Sequence, residues 1–273
     1  MTDSSPHPSS PEPPSGVDTT VPHSPRIWNY WLGGKDNYAV DREAGDRYVE
    51  VFPGIVDVAR ESRGFLTRVV RYLAADAGIR QFLDIGTGLP TADNTHQIAQ
   101  QVAPESRIVY ADNDPLVLAH ARALLTSTPE GVTDYIHADL REGEAILDAA
   151  GRTLDLTRPV ALMLMGVMGH IPDDEAYGVV QRLLDALPSG SYLALCDGTN
   201  TSDAITEAQR GYDETGAVPY RLRGLEQIAR FFEGLELVEP GLVSCSRWRP
   251  EPGPHGRLPD EVDAYGAVGQ KRR

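Results

Sequence analysis

Five short apolar segments alternate with helical segments through the middle of this 273-residue chain. They cover residues 81–85, 107–111, 133–137, 160–165 and 191–196. Such alternation is typical of a parallel β-sheet that carries helices on both faces. The fourth segment is apolar at every position, as expected of a strand that is buried on both sides. The pattern therefore predicts a doubly wound α/β domain.

Residues in the connecting segments mark where helices begin and end. Asp114 and Pro115 form a favoured helix start, an N-cap followed by a proline in the first turn. Gly234 stands where a helix after the fifth strand should end. Residues 235–246 and 264–269 then supply two further predicted strands.

The chain before the first strand has two parts of different composition. Residues 1–25 contain seven Pro and six Ser with almost no large apolar side chains, so we expect a disordered tail. Residues 26–77 begin with a cluster of aromatic side chains and continue with apolar residues at helical spacing. They are predicted to form a helical N-terminal cover, or lid, in front of a domain at 78–273.

Composition excludes several classes of partner. The chain has 25 Lys and Arg against 40 Asp and Glu, a formal net charge of -15, which offers no positive field to a nucleic acid or an anionic membrane. Cys196 and Cys245 show no metal-ligand spacing and suggest no disulfide framework. The most apolar stretch, residues 160–169, is far shorter than the roughly 20 residues that span a bilayer. We therefore expect a cytoplasmic protein without a metal, a nucleic-acid partner or a membrane.

The segment from Phe82 to Thr91 is the strongest sign of a ligand, because a strand runs into a glycine-rich turn and then a helix. A dinucleotide fingerprint needs glycines at its first, third and sixth positions. Gly86 and Gly88 fill the first two, but Thr91 takes the sixth, which disfavours NAD. Asp84, two residues before the first glycine, suits a ligand with a cationic amino-acid part, such as S-adenosylmethionine. A tight turn without a ligand is the alternative.

Two further acids follow the next two strands. Asp112 ends the second strand, about where a ribose-binding carboxylate belongs in a nucleoside-binding α/β fold. A carboxylate can accept two hydroxyl hydrogen bonds at once, which suits a ribose. Asp139 closes the third strand and can accept from an adenine amino group. For Asp112, a solvated loop aspartate is the alternative interpretation.

Four segments together resemble a known family. They are RIWNYWLGGKDNY at 26–38, FPGI at 52–55, FLDIGTGLPT at 82–91 and PDD at 172–174. From about residue 26 to the C-terminus, the chain resembles an actinobacterial family of S-adenosyl methyltransferase-like proteins in the class I superfamily. The resemblance implies a Rossmann-like, seven-stranded sheet whose last strand is antiparallel, and S-adenosylmethionine as the cofactor.

The resemblance also implies which residues contact the cofactor. Asp84, Gly86 and Gly88 are expected under the methionine part, Asp112 at the ribose, and Asn113 and Asp139 near the adenine; Thr87, Leu140 and Met165 complete the candidate set. Pro90 stands where the commonest methyltransferase pattern has a third glycine. A proline at this position affects how closely the backbone at the far end of the turn can approach a ligand.

The segment 26–38 is a candidate lid over the cofactor. Its glycine pair and lysine do not form a phosphate-binding loop, because the spacing is wrong and no strand precedes them. We expect Tyr30, Lys35 or Arg63 to lie near the carboxylate of the methionine part. The alternative is that the aromatic residues of this segment simply cover an edge of the sheet.

The end of the fourth strand, residues 165–172, indicates the kind of acceptor. It lacks the Asn or Asp, Pro-Pro and aromatic arrangement of enzymes that methylate nucleic-acid amino groups. It resembles instead small-molecule methyltransferases, in which a histidine before a proline and an acid faces the substrate. His170 is the candidate general base, because an imidazole can take a proton near neutral pH. Methyl transfer by positioning alone, with His170 capping the next helix, is the alternative.

The predicted function is methyl transfer from S-adenosylmethionine to a small-molecule acceptor, such as a secondary metabolite. The loop at 197–200, after the fifth strand, is expected to shape the acceptor pocket. One alternative is a sensor or regulatory protein that binds S-adenosylmethionine without turnover. Another is a nicotinamide oxidoreductase, which Asp84 and the missing third glycine disfavour.

Overall fold

The computed structural model describes residues 17–90, 93–124, 126–251 and 257–272. Most of the predicted tail at 1–25 therefore lies outside the described residues. The helices within the described ranges are α1 (Ser24–Trp31), α2 (Ala39–Val51), α3 (Ile55–Ala75), α4 (Thr95–Val102), α5 (Pro115–Leu124), α6 (Gly143–Ala150), α7 (Asp173–Asp185), α8 (Asp203–Asp213) and α9 (Leu225–Arg230).

The described residues also form one sheet of eight strands. They are β1 (Gln81–Ile85), β2 (Arg107–Asp112), β3 (Val132–His137), β4 (Ala161–Met165), β5 (Tyr192–Gly198), β6 (Leu235–Leu237), β7 (Val243–Ser244) and β8 (Ala264–Lys271). All five predicted apolar segments are strands. Along the main path the order is β3-β2-β1-β4-β5-β8-β6, with β1 to β5 parallel. The antiparallel last strand, β8, pairs with β5, β6 and β7.

The sheet has one short strand more than the seven strands that the resemblance implied. Seven strands follow the main path, and the two-residue β7 pairs with β8 beside it. The single strand predicted at 235–246 is wrong, because Pro240 and Gly241 interrupt it. Gly241 has a φ of +86° and donates its N–H to the carbonyl of Val238, which closes a turn. A proline cannot donate to a strand ladder, so the chain leaves the sheet there.

The central strands β1, β2, β4 and β5 are buried on both faces, as predicted for the apolar fourth segment. Alternate side chains of β1 and β4 enter two separate cores. Phe82 and Met163 belong to the core that α1 to α4 and α8 complete. Leu83 and Leu164 belong to the core that α6, α7 and α9 complete. Full burial of such a side chain contributes about 1.5 to 3 kcal/mol, so both helix layers are held firmly against the sheet.

The N-terminal cover consists of α1, α2 and α3, and it begins before residue 26. The buried guanidinium of Arg26 donates to the carbonyl oxygens of Asp18 (2.8 Å) and Val21 (2.6 Å). Residues 17–25 therefore make specific contacts, although their composition predicted a disordered tail up to residue 25. The composition could not indicate this, because backbone carbonyls of any residue type can satisfy a buried donor.

A buried ion pair joins α1 to α2. The carboxylate of Asp41 is fully buried and accepts a hydrogen bond of 3.1 Å from Nε of Arg26. It also accepts from the backbone N–H groups of His23 (2.9 Å) and Tyr38 (2.8 Å). One side chain thus fixes the start of α1, the start of α2 and the chain between them.

We expect Asp41→Ala to lower the free energy of unfolding by about 3 to 5 kcal/mol, since it leaves a buried guanidinium without its counterion. Urea denaturation followed by circular dichroism measures this change. Glu43→Ala is the matched control on the same helix, because its exposed carboxylate lies 3.9 Å from Arg47 and such surface pairs contribute about 0 to 1 kcal/mol. Equal effects of the two substitutions would contradict the importance of the buried pair.

Candidate functional site

A cavity of about 300 Å³ lies at the carboxyl ends of the parallel strands and is walled by α1 and α3. Doubly wound sheets bind their ligands at this edge. Because β1 lies between β2 and β4, the cavity has two parts. We call the part at the ends of β1, β2 and β3 the β2 side. The part at the ends of β4 and β5 is called the β5 side.

Most of the predicted site residues line this cavity. They are Arg63, Asp84, Gly86, Thr87, Gly88, Asp112, Asn113, Asp139, Leu140, Met165 and His170. Tyr30 and Lys35 lie elsewhere. The hydroxyl of Tyr30 donates to Asp46 at 2.6 Å, on the side of α1 that faces α2, and Lys35 is exposed after the end of α1. The lid expected at 26–38 thus turns only part of its side chains to the cavity, because a helix directs neighbouring side chains to different faces.

The glycine-rich turn after β1 forms the floor of the cavity. Gly86 and Gly88 have φ angles of +74° and +63°, which side chains disfavour. A Cβ atom on Gly86 would lie 2.3 Å from the side chain of Val167, in the segment after β4. The amide of Gly86 donates to the carbonyl of Ala111 at 2.8 Å, at the end of β2. The absence of side chains thus lets the turn contact both neighbouring strand ends.

Asp84 is a buried carboxylate beside this turn. Its Oδ2 accepts a hydrogen bond of 2.6 Å from the hydroxyl of Thr95, at the start of α4. Burial raises the pKa of Asp84 to about 6, while Thr95 and the Arg63 guanidinium act in the opposite direction. Arg63 itself donates to the carbonyl of Asp93 at 3.1 Å. The acid beside the turn therefore ionises at a higher pH than a free aspartate, and a ligand cation would stabilise its charged form.

Asp112 links the glycine turn to the start of α5. Its Oδ2 accepts from the amide of Gly88 at 3.0 Å, and its Oδ1 accepts from the amide of Asp114 at 2.9 Å. Burial raises the pKa of Asp112 against the opposing effect of these two bonds. Asp114 in turn accepts from the amide of Leu116 at 2.8 Å, so the predicted helix cap is confirmed. Each oxygen of Asp112 keeps further acceptor capacity for a ligand.

Asp139 is engaged by a neighbouring arginine. Both of its carboxylate oxygens accept bonds of 2.8 Å from the Arg141 guanidinium. The amide of Asn113 also donates to Asp139, at 3.3 Å. The hydrogen bonds from the Arg141 guanidinium are the main cause that lowers the pKa of Asp139 to about 2. A direct bond from an adenine amino group to this carboxylate therefore competes with strong existing partners.

His170 lies on the β5 side, in a short 3-10 turn at Met168–His170. Its Nδ1 is 3.1 Å from the carbonyl oxygen of Pro219, and its ring contacts the ring of Tyr220 edge-to-face at 5.0 Å. Burial is the main cause that lowers the pKa of His170, so the neutral imidazole is favoured. The following helix starts at Asp173 after Pro172, without a side-chain cap. The capping role considered for His170 is therefore absent.

The β5 side has aromatic walls that the sequence did not indicate. Trp31 and Tyr48 contact each other edge-to-face at 5.2 Å, and Tyr48 and Tyr212 do so at 6.4 Å. All three line the cavity and come from three different helices, α1, α2 and α8. No local pattern could reveal them as neighbours. Of the predicted loop at 197–200, Asp197 and Gly198 line the cavity, at the end of β5.

A membrane-spanning helix and a clustered metal site are absent from the residues that the structure describes. Within residues 17–90, 93–124, 126–251 and 257–272, no helix is long and apolar enough to cross a membrane. The same ranges hold no group of three or more His, Cys, Asp or Glu side chains arranged for a metal ion. The two cysteines, Cys196 and Cys245, are buried and free.

The raised pKa of Asp84 predicts that the free energy of unfolding depends on pH. Its pKa is about 6 in the folded chain against 3.8 for a free aspartate, so stability falls as the pH rises from about 4 to about 7. Two pKa units correspond to roughly 2 to 3 kcal/mol. Asp84→Asn removes this ionisation, so its stability relative to the wild type should grow by that amount between pH 4 and pH 7.

Urea denaturation at the two pH values measures the difference. Asp148→Asn, at an exposed acid on α6, is the matched control and should show no such trend. A stability difference between Asp84→Asn and the wild type that stays constant from pH 4 to pH 7 would contradict the raised pKa.

Comparison with known proteins assigns the chain to a family. Residues 10–272 match the family model described as S-adenosyl methyltransferase. The crystal structure of a DUF574 family protein from Streptomyces avermitilis is 49% identical with a TM-score of 0.89, and the match covers 93% of this chain and 99% of that one. A Thermobifida fusca protein, provisionally described as a methyltransferase, is 40% identical with a TM-score of 0.88, over 97% and 100% of the two chains.

A curated relative from Mycobacterium sp. strain KMS is provisionally described as an S-adenosyl-L-methionine-dependent methyltransferase. It is 28% identical over 141 residues, which are 50% of this chain and 44% of the relative. The chain thus spans about half the length of the curated relatives that it matches. The organisms agree with the actinobacterial family expected from the motifs. Because the family model covers nearly the whole sequence, this chain belongs to the S-adenosyl methyltransferase family.

Proposed function

We propose that the protein transfers a methyl group from S-adenosylmethionine to a small acceptor without an anionic group. The observation that carries this proposal is a single cavity that joins the glycine turn of β1 to the aromatic β5 side. A cofactor over the turn and an acceptor on the β5 side would then meet at the ends of β1 and β4. These strands are direct neighbours in the sheet.

The residues of the β2 side fit S-adenosylmethionine. Gly86 and Gly88 leave the backbone bare at the turn, where a Cβ atom on Gly86 would collide with Val167. Asp84 offers a buried carboxylate to the ammonium group of the methionine part, and Asp112 offers two oxygens to the ribose hydroxyls. The cofactor supplies an electrophilic methyl group when bound. Leu140 provides an apolar contact for the adenine beside Asn113.

The charge distribution disfavours an anionic acceptor. Among the described residues that line the cavity, the arginines are Arg63 and Arg141. Arg63 interacts with Asp84 and Arg141 with Asp139, both on the β2 side. Asp197 is the acid at the end of β5, and its carboxylate accepts from the hydroxyl of Tyr220. An acceptor with a carboxylate or phosphate group would therefore lose its hydration on the β5 side without gaining a cation.

The chain can assist the transfer in two ways. The walls hold the acceptor in line with the methyl group, and such positioning alone accelerates a displacement strongly. If the acceptor is a hydroxyl, His170 takes its proton at Nε2, because Nδ1 already donates to the carbonyl of Pro219. The lowered pKa of His170 keeps this nitrogen unprotonated at neutral pH.

A sensor that binds S-adenosylmethionine without turnover remains the second candidate. The continuity of the cavity from the glycine turn to His170 favours turnover, because a sensor needs no second compartment. The acidic net charge of -15 supports neither a nucleic-acid acceptor nor an anionic membrane. We also propose a cytoplasmic location, in keeping with two cysteines that are both free.

Substitution of Asp112 tests the cofactor site. We expect Asp112→Asn to weaken binding of S-adenosylhomocysteine by about 1.5 to 3 kcal/mol, because hydrogen bonds to a charged group contribute that much. Isothermal titration calorimetry measures the affinity, with NADH as a ligand that should not bind. Asp148→Asn, on the exposed surface of α6, is the control and should bind as the wild type does. An unchanged affinity of Asp112→Asn would show that Asp112 does not bind the ribose.

Hydrogen exchange tests the role of the cover. Because residues 23–25, 27–29, 31 and 32 line the cavity, S-adenosylhomocysteine should slow amide exchange across α1. Mass spectrometry of peptides from α1 reports this, and β6 at the far edge of the sheet is the internal reference. Equal exchange in α1 with and without the ligand would mean that α1 covers the sheet without responding to the cofactor.

A further inference from the structure

The structure contains a buried arginine that lies outside the cavity and contacts the turn that carries His170. The side chain of Arg223 is 1% exposed. Its Nη1 donates to the carbonyl of Met168 and its Nη2 to the carbonyl of Ile171, both at 2.7 Å. These two carbonyls flank His170 in the chain. A buried guanidinium is costly, so four well-placed partners are needed to hold it there.

The other two partners of Arg223 are acids on neighbouring elements. Its Nε donates to Asp173, the first residue of α7, at 2.9 Å. Its Nη1 lies 3.5 Å from Oδ2 of Asp197, at the end of β5. The guanidinium therefore connects the end of β5, the turn after β4 and the start of α7. Its planar fork suits such divergent contacts better than a lysine ammonium would.

Tyr220 completes the support from the same segment of chain. Its hydroxyl donates to Oδ1 of Asp197 and accepts from the amide of Gly198 at 3.1 Å. Its ring lies edge-to-face against the imidazole of His170 at 5.0 Å. A Cβ atom on Gly169 would lie 2.4 Å from the ring of Tyr220, so this close approach requires the glycine next to His170.

The carbonyl of Pro219, the residue before Tyr220, determines which nitrogen of the His170 imidazole carries the proton. A carbonyl oxygen can only accept, so Nδ1 of His170, 3.1 Å away, must carry the hydrogen in the neutral ring. Nε2 is then the nitrogen with a free electron pair. The backbone of the segment is itself anchored, because the amide of Arg221 donates to the carbonyl of Gly169 at 2.8 Å.

We propose that the segment 219–223 is a positioning element that holds His170 as the Nδ1–H tautomer with Nε2 available as a base. Pro219 selects the tautomer, Tyr220 fixes the ring plane and Arg223 fixes the backbone on both sides of the ring. The use of this nitrogen in methyl transfer rests on the proposed function. The tautomer itself follows from the geometry alone.

The test is nuclear magnetic resonance of protein labelled with 15N-histidine, which distinguishes a protonated from a bare ring nitrogen without any acceptor. His170→Gln assigns the signals of His170 by their loss. We expect the wild type to show one tautomer at neutral pH, protonated at Nδ1. His23 from the N-terminal segment and Asp213 from α8 also act on the charge of this ring, so spectra are compared at one fixed pH.

Two variants test the positioning residues. Arg223→Met removes the contacts to both carbonyls, and Tyr220→Phe removes only the hydroxyl that donates to Asp197, so the second variant should fold even where the first does not. Tyr220→Phe keeps the ring but removes the hydroxyl that anchors it to Asp197 and Gly198, so the ring no longer holds the imidazole plane. In each folded variant we therefore expect the single tautomer to give way to a mixture in which Nε2–H appears. Arg221→Met is the matched control, because this arginine is exposed, and it should keep the wild-type spectrum.

Two results would overturn the proposal. One is an Nε2–H tautomer of His170 in the wild type. The other is a single Nδ1–H tautomer that persists in Tyr220→Phe and in folded Arg223→Met. Calorimetry with S-adenosylhomocysteine on the same samples distinguishes failure of this proposal from failure of the proposed function. Absence of binding to the wild type would contradict the proposed function, whichever tautomer is observed.

Discussion

The close approach of three strand ends at the glycine turn after β1 is the constraint on which the site depends. Gly86 can lie against Val167 only because it lacks a side chain, and its amide reaches the carbonyl of Ala111 on the other side. Gly88 is held by the carboxylate of Asp112 at 3.0 Å. A Cβ atom on Gly86 would lie 2.3 Å from Val167, so a side chain there would force the turn and the segment after β4 apart.

Charge burial around this turn has a cost that function can explain. Asp84 is buried with a pKa near 6, as is Asp197 at the end of β5. Each is stabilised by partners, the hydroxyl of Thr95 in one case and the hydroxyl of Tyr220 in the other. Burying a carboxylate weakens a fold unless it is compensated. The Arg63 guanidinium acts on Asp84 and the Arg223 guanidinium on Asp197. In the proposed function, the ammonium group of the cofactor would add to the compensation at Asp84.

The sequence predicted the features that depend on local pattern, and it could not predict those that depend on distant contacts. The five parallel strands follow from apolar runs, and Asp84 and Asp112 follow from their position at strand ends. Tyr30 and Lys35 were expected near the cofactor because the segment 26–38 was expected to form a lid. That expectation does not give the phase of α1 or the end of that helix. Arg223 contacts the carbonyl of Ile171 across 52 positions, so no motif marks it.

The most direct test of the site is a crystal structure of the protein with S-adenosylhomocysteine. The ribose hydroxyls should lie within hydrogen-bond distance of Asp112, the amino group should lie near Asp84, and the sulfur should face the β5 side, toward His170. Those positions would join the cofactor and the acceptor in one cavity, as the proposed methyl transfer requires. A ligand bound away from the glycine turn, or with its sulfur directed away from His170, would contradict it.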